Sequence, residues 1–144
     1  MTGSADIITW VIVFVGWWVV DHQNSKRQRR IEELSQVEKC ISMLHDLEND
    51  AINYHTGSVR DESLSRDIRL KIQRISKFLN NLNLIPIGQR NNLVKQVRRS
   101  ITMENFDSSN FKPQDINHDL IANISESIDA TKNVLDFQFK IKYY

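Results

Sequence analysis

Glycine, proline and cysteine are scarce in this chain of 144 residues, which contains 4, 2 and 1 of them, respectively. Because glycine and proline favour turns and interrupt helices, their scarcity argues against a turn-rich β fold and favours long helices. A single cysteine excludes an intramolecular disulfide and a cysteine zinc cluster, and it fits a reducing compartment. The composition therefore predicts an all-α protein.

An excess of one charge is also missing. Lysine and arginine total 19 and aspartate and glutamate total 18, which gives a net charge of +1. A general nucleic-acid-binding protein normally has a clear basic excess, so nucleic acid is not an expected partner. The mean hydropathy of −0.43 is typical of a soluble protein, but this average combines a very apolar N-terminal segment with a polar remainder.

Recognisable catalytic and metal-binding patterns are missing as well. The sequence contains no glycine-rich phosphate loop and no nucleophile with its base in a known motif. Two histidines that bind zinc from one helix must lie one turn apart, and no pair has this spacing among His22, His45, His55 and His118. We therefore predict no catalytic residues, no metal, no cofactor and no small-molecule substrate. An enzyme with an unrecognised helical site is the least favoured hypothesis.

A helical ribonuclease of the HEPN family would carry an arginine followed a few residues later by a histidine. Arg90-Asn91 begins in this way, but Lys95, Gln96 and Val97 occupy the positions where the histidine belongs. The sequence therefore disfavours this ribonuclease family.

What the chain does have is a run of about 14 uncharged residues, Ile7–Val20, followed by a basic run at residues 26–30. As a helix the uncharged run covers roughly 21 Å, whereas the bilayer core is about 30 Å thick. If Asp6 and Asp21 lie at the two interfaces, the run reaches about the spanning length. We therefore predict a membrane anchor, and a buried core helix of a soluble protein is the alternative.

The flanks of this run predict its orientation. Tryptophan prefers the headgroup region, and the predicted span has tryptophans toward both ends; its marker residues are Ile7, Trp10, Phe14, Gly16, Trp17, Trp18 and Val20. Cations mark the cytoplasmic flank and attract anionic lipid, a role we assign to Lys26, Arg27, Arg29 and Arg30. We expect residues 1–25 to form the anchor with the N-terminus outside, and residues 26–144 to lie in the cytoplasm.

Apolar residues then recur every three or four positions, including Leu44, Ile72, Val97 and Ile128, as in amphipathic helices. The predicted helices run from the anchor to about His55, from Ser58 or Asp61 to Leu82, from about Gln89 to Met103, and onward from near Pro113. Phe106 and Phe111 are expected to hold the loop before the last helix against the domain. The predicted fold is an N-terminal transmembrane helix continuing into a cytosolic four-helix up-and-down bundle.

Some residues allow two interpretations each. The third predicted helix has a basic face that is either a site for a partner or nucleic acid, or a solvated surface: Arg90, Lys95, Arg98 and Arg99. Cys40 is either a small buried hydrophobic residue or a reactive thiol. Residues 137–144 are either a short strand that captures a partner or the last turn of the final helix.

Residues Gly16–His22, followed by Ser25-Lys26-Arg27 and a basic helix, resemble the start of small bacterial membrane-anchored proteins of unknown function. Some proteins of this type accompany phage-defence systems, so the resemblance, which covers about the first 35 residues, implies the bacterial inner membrane and a link to antiviral defence. We expect a non-enzymatic protein whose bundle docks a protein partner or self-associates at that membrane. The alternative is an effector whose spans assemble into a pore, although Gly16 has no second small residue to pack with.

Overall fold

The computed structural model describes the backbone of residues 3–144 and the side chains of residues 8–144. This part of the chain is helical, without a β-strand, and its elements are α1 (Gly3–Thr56), α2 (Glu62–Leu82), α3 (Ile87–Thr102) and α4 (Asp119–Tyr143). The chain divides into two compact units, Met1–Ser35 and Gln36–Tyr144. The boundary therefore follows residue 35, whereas the sequence places the end of the anchor at residue 25.

The second unit is a helical bundle with one hydrophobic core. Its buried residues recur every three or four positions, which places them on one face of each helix. From α1 they are Val37, Cys40, Leu44, Leu47, Ala51 and Tyr54; from α2, Ile68, Ile72, Ile75, Leu79 and Leu82; from α3, Leu93, Val97 and Ile101; from α4, Leu120, Ile124, Ile128, Leu135 and Phe139. Each large apolar side chain buried in this way stabilises the fold by about 1.5–3 kcal/mol before entropy is counted.

Cys40 belongs to this core. Its side chain is fully buried, and burial raises the pKa of the thiol to about 12. Because the thiolate is the nucleophilic form, Cys40 behaves here as a small hydrophobic residue and not as a reactive thiol.

The ends of the middle helices follow from local hydrogen bonding. Asp61 caps α2, since its carboxylate accepts a hydrogen bond from the backbone N–H of Leu64 at 2.9 Å. The helix ends at Leu82, and Asn83 directly after it adopts the left-handed conformation with φ of 50°. Asparagine tolerates this conformation better than most residues, so the chain can turn there and begin α3 after Pro86.

The sequence predicts that the last helix begins near Pro113, but it begins at Asp119, six residues later. Asp115 explains the delay, because its carboxylate accepts from the N–H of Asn117 at 2.8 Å and its carbonyl accepts from the N–H of His118 at 2.9 Å. Such a local turn competes with the helix for the same backbone groups. The helix then continues to Tyr143, so residues 137–143 form its last turns and not a strand.

The predicted membrane span is wrong. Residues 7–20 lie in α1, but no helix in the described part of the chain combines the length and the apolar character that a membrane crossing requires. The uncharged run covers only about 21 Å of a bilayer core that is about 30 Å thick. Extending it brings in Asp6 at one end and Asp21, His22 and Gln23 at the other, and these polar groups lower its hydropathy.

Several further predictions depended on that span and are corrected with it. They are the N-out, single-pass topology and the location in the bacterial inner membrane. Binding of anionic lipid by Lys26, Arg27, Arg29 and Arg30 stays a prediction. The pore-forming alternative stays a prediction. The predicted span residue Ile7 has its side chain outside the described residues.

Candidate functional site

The first unit carries an apolar segment, residues 8–20 of α1, whose side chains face solvent. The aromatic members are 64% exposed at Trp10, 69% at Phe14, 77% at Trp17 and 69% at Trp18. The aliphatic members are also exposed: Ile8, Val11, Ile12, Val13, Val15, Val19 and Val20. Scattered exposed apolar residues are ordinary on a protein surface, but a contiguous set of this size marks a surface that binds something.

The apolar segment has the spacing of a helix that packs against other helices. Trp10, Val13, Trp17 and Val20 are separated by three, four and three residues, which is the a and d spacing of a heptad repeat. The remaining positions are apolar too, apart from Thr9 and Gly16, so the segment has no polar face. A helix that is apolar on all sides is normally covered on more than one side.

The basic run that follows the apolar segment is mainly exposed. Lys26, Arg27 and Arg29 lie at the surface, and Arg30 is half-buried. These cations mark a polar boundary of the apolar segment.

The predicted basic face of α3 is divided by the fold. Lys95, Arg98 and Arg99 are exposed, whereas Arg90 is only 7% exposed. Its guanidinium Nη1 lies 3.4 Å from the carbonyl oxygens of Leu79 and Asn80, which are among the last carbonyls of α2. Arg90 therefore binds the C-terminal end of α2, where a cation is favourable, and is not part of the exposed face.

A groove that sequence reasoning missed lies where α2, α3 and the loop before α4 meet. We call it the arginine groove. It has a volume of about 390 Å³ and is lined by Arg69, Ile72 and Gln73 of α2, Arg98 and Thr102 of α3, and Phe106 and Asp107 of the loop. A neighbouring depression of about 210 Å³ shares Arg69 and Asp107 and adds Arg60, Glu62, Ser65 and Arg66.

The carboxylate of Asp107 is the centre of this groove. Ser65 donates a hydrogen bond from Oγ to Asp107 Oδ1 at 2.6 Å, Arg69 forms a salt bridge with Oδ2, and Arg60 Nη2 lies 3.8 Å from Oδ1. The backbone N–H of Asp107 donates to the hydroxyl of Tyr54 at 3.1 Å. Asp107 also adopts a left-handed conformation with φ of 55°, so these contacts hold a residue in a conformation that few side chains favour.

Aromatic packing positions the loop that carries Asp107. The ring of Tyr54 at the end of α1 lies 5.0 Å from that of Phe106 and 5.5 Å from that of Phe111, centroid to centroid. The N–H of Gln114 donates to the carbonyl of His55 at 2.8 Å. As the sequence predicts, Phe106 and Phe111 hold the loop against the bundle, and one wall of the groove is thereby fixed.

Arg98 of the groove and Arg66 of the neighbouring depression keep unpaired charge. In the described part of the chain, the guanidinium groups of Arg66 and Arg98 form no ion pair, whereas Arg60 is near Glu62 and Asp107 and Arg69 is paired with Asp107. The groove and its neighbouring depression thus contain four arginines and only two carboxylates. The local potential is positive although the whole chain is nearly neutral.

No family model, curated protein or solved structure matches this chain. The resemblance of its first 35 or so residues to bacterial membrane-anchored proteins therefore stays a prediction.

A metal centre is not among the arrangements found in residues 8–144. Within that part of the chain, no group of three or more histidine, cysteine, aspartate or glutamate side chains is placed to hold a metal ion. The two candidate binding surfaces are the apolar segment at residues 8–20 and the cationic arginine groove.

Proposed function

We propose that the protein is a non-enzymatic interaction protein that self-associates through the apolar segment of α1. The observation that carries this proposal is the continuous exposure of the apolar side chains at residues 8–20. The four aromatic side chains of the segment can alone bury about 600–1,000 Å². This is the range of the ~800 Å² that each partner buries in a stable interface of standard size.

A second copy of the same chain is the occupant that fits best. Most soluble oligomers are homo-oligomers, and every copy brings the same apolar surface. The heptad spacing of Trp10, Val13, Trp17 and Val20 supplies the knobs that pack between helices of like sequence. Because the segment has no polar face, one neighbouring helix would leave much of it exposed, so we propose an assembly of at least three copies.

In this proposal the second unit, Gln36–Tyr144, carries the surface that recognises other molecules. Assembly would then bring several recognition surfaces together, and linked sites bind a multivalent target much more tightly than a single site does. The exposed cations Lys95 and Arg99 on α3 are available for such contacts.

The proposal is tested by measuring the mass of the full chain in solution by sedimentation equilibrium, for the wild type and two variants. Val13→Lys places a charge in the middle of the apolar segment, and burying an unpaired charge is costly. Gln23→Lys is the matched control, because it adds the same charge to the same helix at a polar, exposed position. We expect the wild type and Gln23→Lys to be oligomers and Val13→Lys to be mainly a monomer.

A wild-type chain that is monomeric at tens of micromolar would contradict the proposal. Equal masses for Val13→Lys and Gln23→Lys would also contradict it, since the apolar segment would then not be the interface. Circular dichroism of both variants checks that the helices are retained.

A further inference from the structure

We propose that the arginine groove binds a nucleoside phosphate. The groove belongs to the second unit, so this inference does not depend on self-association through residues 8–20. It rests on the charge of the groove, on its apolar floor and on its size.

The charge of the groove is suited to a phosphate group. Arg69 and Arg98 line it from different helices, and the planar guanidinium group binds phosphate oxygens with two parallel hydrogen bonds. The site already binds one oxyanion of the chain itself, the carboxylate of Asp107, which contacts Arg69, Arg60 and the hydroxyl of Ser65. Arg98 has no carboxylate partner in the described residues and is the cation left for an anion from solution.

The floor of the groove is suited to the nucleoside part. Ile72 is buried at its base, and the half-buried ring of Phe106 lies beside it. The guanidinium of Arg69 lies over the ring of Phe106, with its carbon 5.7 Å from the ring centroid, so the flat cation and the aromatic ring form one stack at the groove. Nucleobases stack on both kinds of group. Gln73 adds an exposed amide that can donate or accept a hydrogen bond.

The size of the groove favours a small ligand over a polymer. Its volume of about 390 Å³ lies within the range of small-molecule sites, about 300–1,000 Å³. The loop that carries Phe106 and Asp107 forms one wall. A nucleic-acid surface would also need a broader basic excess than a net charge of +1 provides.

Isothermal titration calorimetry on the full chain tests the inference with three probes: adenosine 5′-monophosphate, adenosine and inorganic phosphate. We expect the nucleotide to bind more tightly than either of the other two, since it alone contacts both the cations and the apolar floor. Arg98→Gln should weaken binding of the nucleotide by at least about tenfold, the usual effect of losing a charged hydrogen bond. Arg99→Gln is the matched control, because it removes the same charge from the next residue of α3, which does not line the groove.

A second pair of variants tests the opposite direction, a gain in affinity at residue 107 against a control at residue 67. Asp107→Asn removes the carboxylate that competes with the phosphate for Arg69, and asparagine tolerates the left-handed conformation of residue 107. We expect it to tighten binding of the nucleotide by about fivefold, the effect of one unit charge at contact distance in water. Asp67→Asn removes a charge from an exposed position of α2 outside the groove, and it should change the affinity less than twofold.

Three results would overturn the inference. The first is no binding of the nucleotide at millimolar concentration. The second is equal affinity for the nucleotide and inorganic phosphate, because the apolar floor would then contribute nothing. The third is an equal effect of Arg98→Gln and Arg99→Gln, which would indicate general attraction to a basic surface. Thermal melts of the four variants confirm that each is folded at the titration temperature.

Discussion

His55 donates a hydrogen bond from Nε2 to the carbonyl oxygen of Ile101 at 2.8 Å, and this bond joins the end of α1 to the end of α3. The imidazole is fully buried and meets the ring of Tyr54 edge to face, with 5.2 Å between centroids. Its Nδ1 has no hydrogen-bond partner in the described part of the chain. A ring that donates from Nε2 and leaves Nδ1 without a partner is a neutral imidazole with its proton on Nε2.

The stability of the protein should therefore fall as the pH decreases through the range of histidine. Burial lowers the pKa of His55 from its ordinary value of 6.5, although the bond to Ile101 and the nearby Glu104 act in the other direction. Below pH 6.5 the unfolded chain binds a proton that the folded chain does not accept, so the free energy of unfolding decreases with decreasing pH. The decrease continues until the pH reaches the folded pKa.

Urea unfolding at several pH values between 7.5 and 5 measures this dependence. His55→Gln should reduce the slope of unfolding free energy against pH, because the buried titrating group is gone. His45→Gln is the control for the loss of a histidine at a position whose side chain is 63% exposed. A slope that is the same in the wild type and in His55→Gln would show that His55 is not the group responsible.

Arg90 should contribute to stability and not to binding at the surface of α3. Arg90→Met removes the contacts of its guanidinium with the carbonyls of Leu79 and Asn80, and we expect a loss of about 1–3 kcal/mol in the free energy of unfolding. Arg99→Met, at an exposed position of the same helix, should change it by less than about 0.5 kcal/mol. Chemical denaturation of both variants checks the difference, and equal losses would mean that Arg90 does not secure α2.

Leu44 should be one of the most sensitive positions of the bundle. It is fully buried in the core, so Leu44→Ala removes apolar contacts and leaves a cavity, at a cost of about 2–5 kcal/mol. Leu70 lies on α2 and is 42% exposed, and Leu70→Ala should cost much less. Thermal and urea unfolding provide the comparison, and a small effect at Leu44 would contradict the assigned core.

The sequence was sufficient to predict the helices of the bundle and much of its core. Apolar repeats at three and four positions determine which face of a helix is buried, and Leu44, Ile72, Val97 and Ile128 lie in the core as their spacing predicts. The start of α4 was predicted wrongly, because the turn made by Asp115 depends on hydrogen bonds that spacing does not reveal.

The functional surfaces were harder to predict, for different physical reasons. The run at residues 7–20 indicates a need for burial but not what covers it, and its length is too short for the membrane span that was inferred. The arginine groove depends on Arg69, Arg98 and Asp107, which are distant in the sequence and meet only after α2, α3 and the loop have packed. Arg90 belongs to the same basic pattern as Arg98, and only the fold distinguishes the buried cation from the exposed one.

The most direct test of the central claim uses the natural fluorescence of the chain. All 3 tryptophans, Trp10, Trp17 and Trp18, lie in the apolar segment. Tryptophan emission therefore measures how far this segment, and no other part of the chain, is shielded from water. If copies of the chain cover the segment, the emission should be blue-shifted at high protein concentration and move to the red on dilution, in step with the loss of mass in sedimentation. An emission that is red-shifted, as in water, at every concentration would contradict self-association.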